Sequence, residues 1–246
     1  MKKFEALALN FQIGDSSILN DLSVSATEGE RLGIIGPNGS GKTTFFNCLS
    51  GFSRPHKGKI LFDSLDVTRL SPSDRAIKGL GRLFQNFGIF RDLTVYENLL
   101  IAIESREKVS LFSLFKSKNF TDEIMSLLSL VTLQDKKNHK AGSLSGGQLR
   151  LLEIIRLIAF NSKLYLLDEP TAGVSPKMKL DILDALNKLL PKDAIVMLIE
   201  HDINFMKDFC SRVVVFDSGH CVLSGTVDEV RENPVLQEVY FGERGR

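Results

Sequence analysis

The run Gly36-Pro37-Asn38-Gly39-Ser40-Gly41-Lys42-Thr43-Thr44 constrains this chain more than any other stretch. It follows Leu32-Gly33-Ile34-Ile35, which reads as a strand, and precedes Phe45-Phe46-Asn47-Cys48-Leu49, which continues as a helix. A strand, a glycine-rich turn and a helix opening directly from it are the setting in which backbone wraps a phosphate group. The glycines let successive N–H groups point inward, and the new helix adds its positive end. In this arrangement Lys42 reaches terminal phosphates and the Thr43 hydroxyl is placed to hold Mg²⁺. The candidate phosphate-binding residues are Gly36, Asn38, Gly39, Ser40, Gly41, Lys42, Thr43 and Thr44.

The rest of the chain reads as a sheet-based domain built around that loop. Leu7, Leu9, Phe11 and Ile13 alternate with Ala6, Ala8, Asn10 and Gln12, the period of a half-buried strand. Gly14-Asp15-Ser16-Ser17 reads as a turn, and Leu22, Val24 and Ala26 repeat the alternation, so residues 4–27 are expected to form an antiparallel pair. Farther on, Leu164–Leu167, Ile195–Ile199 and Val213–Phe216 are continuous apolar runs, suited to strands covered on both faces of a parallel sheet. Met178, Ile182, Leu183, Leu186, Leu189 and Leu190 form a helical stripe between two of them. Strand–helix alternation led by a phosphate loop predicts an α/β fold with a mainly parallel sheet and N-terminal antiparallel strands.

From Asp92 to Ala159 the strand signal fades, and Val95–Ile103, Thr121–Leu130 and Ser145–Ala159 read as helices. This predicts a discontinuous nucleotide-binding core, 1–91 and 159–246, with a helical subdomain inserted at 92–158. Within the insert, Lys108–Asn119 sets Leu111, Phe112, Leu114 and Phe115 among lysines. It reads either as a short amphipathic helix touching a membrane or partner, or as core packing.

Composition bounds the function. Of 246 residues, 43% are apolar and 25% charged, as in soluble globular proteins, and the net charge of +1 gives no global field to attract nucleic acid. No run reaches the roughly 18 apolar residues a spanning helix needs. The start, Met1-Lys2-Lys3-Phe4-Glu5, lacks the features of a secretory signal. Cys48, Cys210 and Cys221 are scattered without metal-ligand spacing and read as reduced thiols in a cytoplasmic protein.

Three further signals bear on chemistry. Leu164-Tyr165-Leu166-Leu167-Asp168-Glu169 is an apolar strand ending in two carboxylates. Neighbouring side chains on a strand diverge, so Asp168 can bind Mg²⁺ while Glu169 orients or polarises an attacking water. His201 follows the Ile195–Glu200 strand, where a neutral imidazole can contact a γ-phosphate or align water; a plain surface histidine is the competing reading. Gln85, between the sheet and the helical insert, offers an amide oxygen to Mg²⁺ or water. In Leu144-Ser145-Gly146-Gly147-Gln148, Ser145 can cap the following helix while the glycines leave N–H groups free, an anion site without a lysine. One nucleotide needs one cradle, so this second site points to two copies facing head to tail.

Together these pieces resemble the ATP-binding subunit of ABC transporters over nearly the whole chain. Gly36–Thr43 matches the phosphate loop, Gln85 the glutamine loop, Leu144–Gln148 the signature motif, Leu164–Glu169 the Walker B strand and His201 the switch histidine, all in the family's order. The resemblance implies a P-loop nucleoside triphosphatase core that hydrolyses ATP with Mg²⁺. It implies catalytic roles for Lys42, Gln85, Glu169 and His201, metal ligation by Thr43, Gln85 and Asp168, and nucleotide contacts from Ser145, Gly146, Gly147 and Gln148 of a second ATP-binding subunit, either the same chain or a paralogue, facing head to tail. It also implies two transmembrane permease subunits, a periplasmic or extracellular substrate-binding protein, and a place on the cytoplasmic face of the membrane.

The nearer resemblance is to branched-chain amino acid importer ATPases. It is carried by Thr44-Phe45-Phe46-Asn47 with Ser50-Gly51-Phe52, by Arg82-Leu83-Phe84-Gln85-Asn86, by Leu93–Asn98, by Ala172-Gly173-Val174-Ser175-Pro176 and by Glu238–Gly242. The ATPases of lipopolysaccharide export and urea uptake share much of it, and a nucleotide-gated interaction protein outside transport is the alternative of another class. Three departures stand out. The family places an adenine-stacking aromatic just before Gly14, where this chain has Ile13 with Phe11 two residues earlier; stacking is either weakened or supplied by Phe11. Ser175 stands where an Asp or Asn is usual, and the helix Leu149–Arg156 is more apolar than its counterparts.

Overall fold

The computed structural model describes residues 3–84, 88–106 and 120–241. The segment Lys108–Asn119 and Gln85 lie outside the described residues. Contacts divide the chain into two units, 1–82 with 163–169 and 191–246, and 83–162 with 170–190.

In the first unit, alternating apolar residues form β1 (Lys3–Ile13), which pairs antiparallel with β2 (Ser16–Thr27) and with β4 (Lys57–Phe62). The short β5 (Leu65–Asp66) completes a four-stranded sheet in the order β2-β1-β4-β5. The antiparallel pair is as the periodicity predicts, but its buried face is not. Phe4, Ala6 and Leu9 are buried, whereas Leu7 and Ile13 are exposed. The register explains this: Ala6 faces Val24 but Leu9 faces Leu22, so β1 carries one extra residue there, and Ala8 takes a left-handed φ of 50°. Such a bulge switches which side chains face the core. A matching excess follows on β2, where Leu9 to Phe11 spans Leu22 to Leu19 and Asp21 takes a φ of 50°.

The second sheet has the order β10-β9-β3-β8-β7-β6. Its centre is parallel: β3 (Arg31–Ile35) lies between β8 (Ile195–Ile199) and β9 (Arg212–Asp217), and β7 (Leu164–Asp168) flanks β8. The edges are β6 (Leu80–Leu83) and β10 (His220–Gly225), the latter antiparallel to β9. Every residue of β7 and β8 is buried, the reason these runs show no alternation. Helix α1 (Lys42–Ser50) packs where the sheets meet, with Phe45, Phe46 and Leu49 in one core with Phe4, Leu22, Leu166, Met197 and Phe216. The Phe45 and Phe216 rings meet edge-on, 5.3 Å between centroids.

The far end of α1 is held by a fully buried arginine. Arg75 lies on α2 (Pro72–Ile77) and its Nη1 donates to the carbonyls of Cys48 (2.5 Å) and Leu49 (2.7 Å). Its Nη2 donates to Thr68 O at 2.9 Å and its Nε to Leu70 O at 3.2 Å. The guanidinium thus supplies a donor to the Leu49 carbonyl, shares the Cys48 carbonyl with the Gly51 N–H, and complements the negative end of the helix dipole. Three short helices, α7 (Ile203–Phe209), α8 (Val227–Glu232) and α9 (Pro234–Phe241), complete this unit.

The second unit is helical: α3 (Val95–Arg106), α4 (Thr121–Leu130), α5 (Gly146–Ala159) and α6 (Pro176–Leu189). The starts and ends of α3, α4 and α5 lie close to those read from sequence, with Ser145 capping α5 as expected; the structure shows Ser175 capping α6 in the same way. The extent of the unit differs from the 92–158 read from sequence: α6 packs on α5 and joins it, so 170–190 belongs here and not with the sheets. The stripe Ile182 and Leu186 is the face α6 buries.

Replacing Arg75 by methionine keeps volume but removes the guanidinium donors from four carbonyls. We expect a loss of about 2–4 kcal/mol of stability, read by urea denaturation. An unchanged midpoint would show that the arginine does not anchor α1.

Candidate active site

Helix α1 and strand β3 position the loop between them. Gly36 sits so close to β9 that a Cβ there would lie 2.2 Å from the Phe216 carbonyl oxygen, so no other residue fits without moving the strand. At Gly39 an added Cβ meets nothing within 4 Å, and only the left-handed φ of 84° favours glycine. The loop is pinned to the β9–β10 turn, where Gly219 N–H donates to Ser40 O at 3.2 Å. Gly41 is the N-cap position of α1, Thr43 is exposed and Thr44 half-buried in its first turn, and Asn38 is exposed at the loop's crest.

Lys42 folds back over this loop. Its Nζ donates to the carbonyls of Gly36 (2.7 Å) and Pro37 (2.9 Å). Burial pushes its pKa down, while the carboxylates of Glu169 and Asp168 act in the opposite sense. The strand ending in two carboxylates therefore lies within electrostatic reach of the loop lysine. The buried Ser40 Oγ has no hydrogen-bond partner among the described residues. A buried hydroxyl without a partner in a glycine-rich loop at the start of a helix fits a phosphate oxygen.

The two carboxylates diverge. Asp168 is buried, and its Oδ2 pairs with Arg82 Nη2 at 2.9 Å. Glu169 is more accessible, has a left-handed φ of 48°, and is held by its N–H bond to Ile199 O at 2.9 Å. Its Oε1 lies 3.2 Å from Nε2 of His201. With Glu169 ionised, that contact makes Nε2 the protonated nitrogen. His201, itself exposed, thus lies in contact with Glu169. Among the described residues no three or more His, Cys, Asp or Glu side chains gather to cage an ion. The oxygen donors of Thr43 and Asp168 suit Mg²⁺, a hard cation that keeps water and phosphate among its ligands.

Phe11 is half-buried against the core, its ring 5.5 Å from that of His56, while Ile13 is exposed at the strand end.

In the second unit Ser145 opens α5 with a capping box: Ser145 Oγ accepts from Gln148 N–H at 3.4 Å, and Gln148 Oε1 accepts from Ser145 N–H at 3.2 Å. Ser145 and Gly146 are exposed, Gly147 and Gln148 half-buried, and Lys136 Nζ also reaches Gln148 Oε1 at 3.0 Å. The apolar helix behind them carries a buried polar seam. Arg150 donates to Pro170 O (2.8 Å), Phe84 O (3.1 Å) and Glu153 Oε2 (2.8 Å), Glu153 Oε1 accepts from Gly88 N–H (3.0 Å), and Arg156 donates to Gly88 O. The described residues on either side of Gln85 are thus tied to the helix that starts at Ser145. Sequence reasoning missed Arg82, Arg150 and Glu153. Their one signal was charge inside otherwise apolar runs.

A family model described as ABC transporter matches residues 19–172. The chain belongs to the ABC transporter family. It is an ATP-binding cassette, the ATP-hydrolysing component of such a transporter. It is 36% identical to the high-affinity branched-chain amino acid transport ATP-binding protein BraF of Pseudomonas aeruginosa, covering 97% of each chain. It is 34% identical to the lipopolysaccharide export system ATP-binding protein LptB of Haemophilus influenzae, covering 92% of each. An ATP-binding cassette of an ABC transporter solved in its ADP conformation superposes with a TM-score of 0.86 at 31% identity, covering 99% of this chain and all of that one. No described helix is long and apolar enough to cross a membrane.

Both loop glycines have a positive φ, 153° at Gly36 and 84° at Gly39, and Gly36 adds crowding against β9 to that strain. Gly39→Ala meets only the left-handed backbone cost of about 1–2 kcal/mol, whereas Gly36→Ala must displace β9. Nucleotide affinity, measured by titration calorimetry, is expected to fall at least tenfold further in Gly36→Ala than in Gly39→Ala. Equal losses would remove the β9 contact as a determinant of loop shape.

Proposed function

We infer that this cassette powers uptake of branched-chain or other hydrophobic amino acids, cleaving the γ-phosphate of ATP as two copies close head to tail. The observation that carries the catalytic part is the Glu169–His201 contact beside the Lys42 loop. The Glu169 carboxylate orients the attacking water and draws its proton, and the His201 Nε2–H holds that carboxylate in place. Lys42 and the loop N–H groups meet charge growing on the transferring phosphoryl oxygens. Thr43 and Asp168 would hold Mg²⁺, with Gln85 assigned to the same cation by motif alone, and the cation would supply neutralising charge to the phosphates. The start of α5, from exposed Ser145 and Gly146 to half-buried Gln148, is the surface a second copy's nucleotide meets. ATP favours the closed pair because it touches both copies, and its cleavage removes that preference.

The substrate reading rests on the BraF relative and on the motifs that resemble those of branched-chain amino acid importer ATPases. The LptB match supports lipopolysaccharide export as the second reading. On either reading, two permeases receive the closing motion at the cytoplasmic face; on the first, a periplasmic substrate-binding protein delivers the amino acid.

Glu169→Gln is expected to retain ATP binding, lower turnover at least a hundredfold and accumulate a dimer with ATP on size-exclusion chromatography. Normal turnover would remove Glu169 from the reaction. For the substrate, purification in mild detergent with the membrane subunits, followed by leucine uptake in proteoliposomes, decides. Co-isolation with lipopolysaccharide-exporting subunits and no uptake would favour the second reading.

A further inference from the structure

The Asp168 carboxylate does not stand alone at the end of β7. Its Oδ2 accepts from Arg82 Nη2 at 2.9 Å, and both side chains are only 5% exposed. Arg82 is held from the other side by α1: its Nη1 donates to Asn47 Oδ1 and to Ser50 Oγ, each at 2.8 Å. Ser50 Oγ in turn donates to Phe46 O at 2.7 Å, so its lone pair is turned to the arginine. The guanidinium carbon lies 5.8 Å from the centre of the Phe46 ring. Neutral acceptors on one element and a carboxylate on another thus fix a planar cation between them. Lysine, a point donor without the fork, cannot reproduce this.

We propose that Arg82 is a positioning residue for the cation site, a brace that sets the orientation of the Asp168 carboxylate relative to the helix carrying Lys42 and Thr43. The brace stands on a single element, β6, and joins the two that bear the metal ligands. It works through geometry: Oδ2 is committed to the guanidinium, which fixes the carboxylate plane against α1 while the Asn47 and Ser50 contacts keep the guanidinium from following a cation. The idea of a salt bridge that exists only for stability makes a different statement, because a purely structural pair would leave the metal dependence of nucleotide binding untouched once the protein is folded. Two buried charges lose desolvation energy in forming the pair, so stability alone is a weak reason for placing an arginine there.

The proposal rests on Asp168 being a Mg²⁺ ligand, so the experiment includes Asp168→Asn. ATP affinity is measured by equilibrium binding with Mg²⁺ and with EDTA for the wild type, Arg82→Lys, Arg82→Gln and Asp168→Asn, with melting temperature recorded for each. Asp168→Asn is expected to erase most of the Mg²⁺-dependent gain in affinity. Arg82→Lys is expected to cut that gain at least fivefold, with affinity in EDTA within twofold of wild type, and Arg82→Gln to cut it further. Should Arg82→Gln fail to fold, Arg82→Lys carries the test, and Asn47→Ala, which removes one support of the guanidinium, is expected to give a smaller loss of the same kind. A Mg²⁺-dependent gain unchanged in folded Arg82→Lys and Asn47→Ala, beside a lost gain in Asp168→Asn, overturns the brace alone. A gain unchanged in Asp168→Asn overturns the metal assignment of Asp168 and the brace with it.

Discussion

Everything in the nucleotide site depends on one steric constraint, the near contact between the backbone at Gly36 and the carbonyl of Phe216. It fixes where the chain leaves β3, and so the direction in which the loop turns and α1 begins. The parallel sheet supplies the rigidity this needs, since β3 is flanked by β8 and β9 and cannot shift without breaking two ladders. At the other end of α1, Arg75 grips the terminal carbonyls. The helix is therefore held at both ends, and Lys42 and Thr43 inherit positions set by residues that never approach a phosphate. Catalytic geometry of this kind works because it is present before the substrate arrives.

Division of labour between Asp168 and Glu169 follows from the backbone. Asp168 is the last residue of a buried strand and faces the packed interior, where an arginine compensates it. One residue later the chain turns into a left-handed conformation and the next carboxylate emerges beside His201. Adjacent residues of identical charge type thus sit in different surroundings, one enclosed and braced, the other accessible and paired with an imidazole. The same economy appears in the helical unit, where Arg150 and Glu153 fasten the segments flanking Gln85 to the helix that Ser145 opens.

Much of this was legible in the sequence because it is local. The loop, its strand and its helix are consecutive, the apolar runs at 164–167 and 195–199 announce strands covered on both faces, and Ser145 marks where α5 begins. The polar braces were not legible, because Arg82, Arg75 and Arg150 owe their roles to partners that are 86, 27 and 66 residues away. The motif Arg82-Leu83-Phe84-Gln85 was noticed only for its likeness to relatives, although an arginine inside a strand of apolar neighbours already implies a buried counter-charge. Assigning 170–190 to the sheets failed for a similar reason: the stripe on α6 shows that a face is buried, but not that its cover is α5.

The paired bulges of β1 and β2 also explain why the assignment of an aromatic to the base of the nucleotide resists counting along the chain. Residue number is a reliable ruler only while a strand keeps its period. Across the extra residue at Ala8, positions of equal parity no longer share a side; beyond it, Phe11 leans on His56 and the core, while Ile13, the last residue of the strand, is exposed. Aligning this stretch with a relative whose strands lack the irregularity would pair residues of equal index and unequal direction. Homology at the end of β1 is better judged by which way a side chain points than by its column.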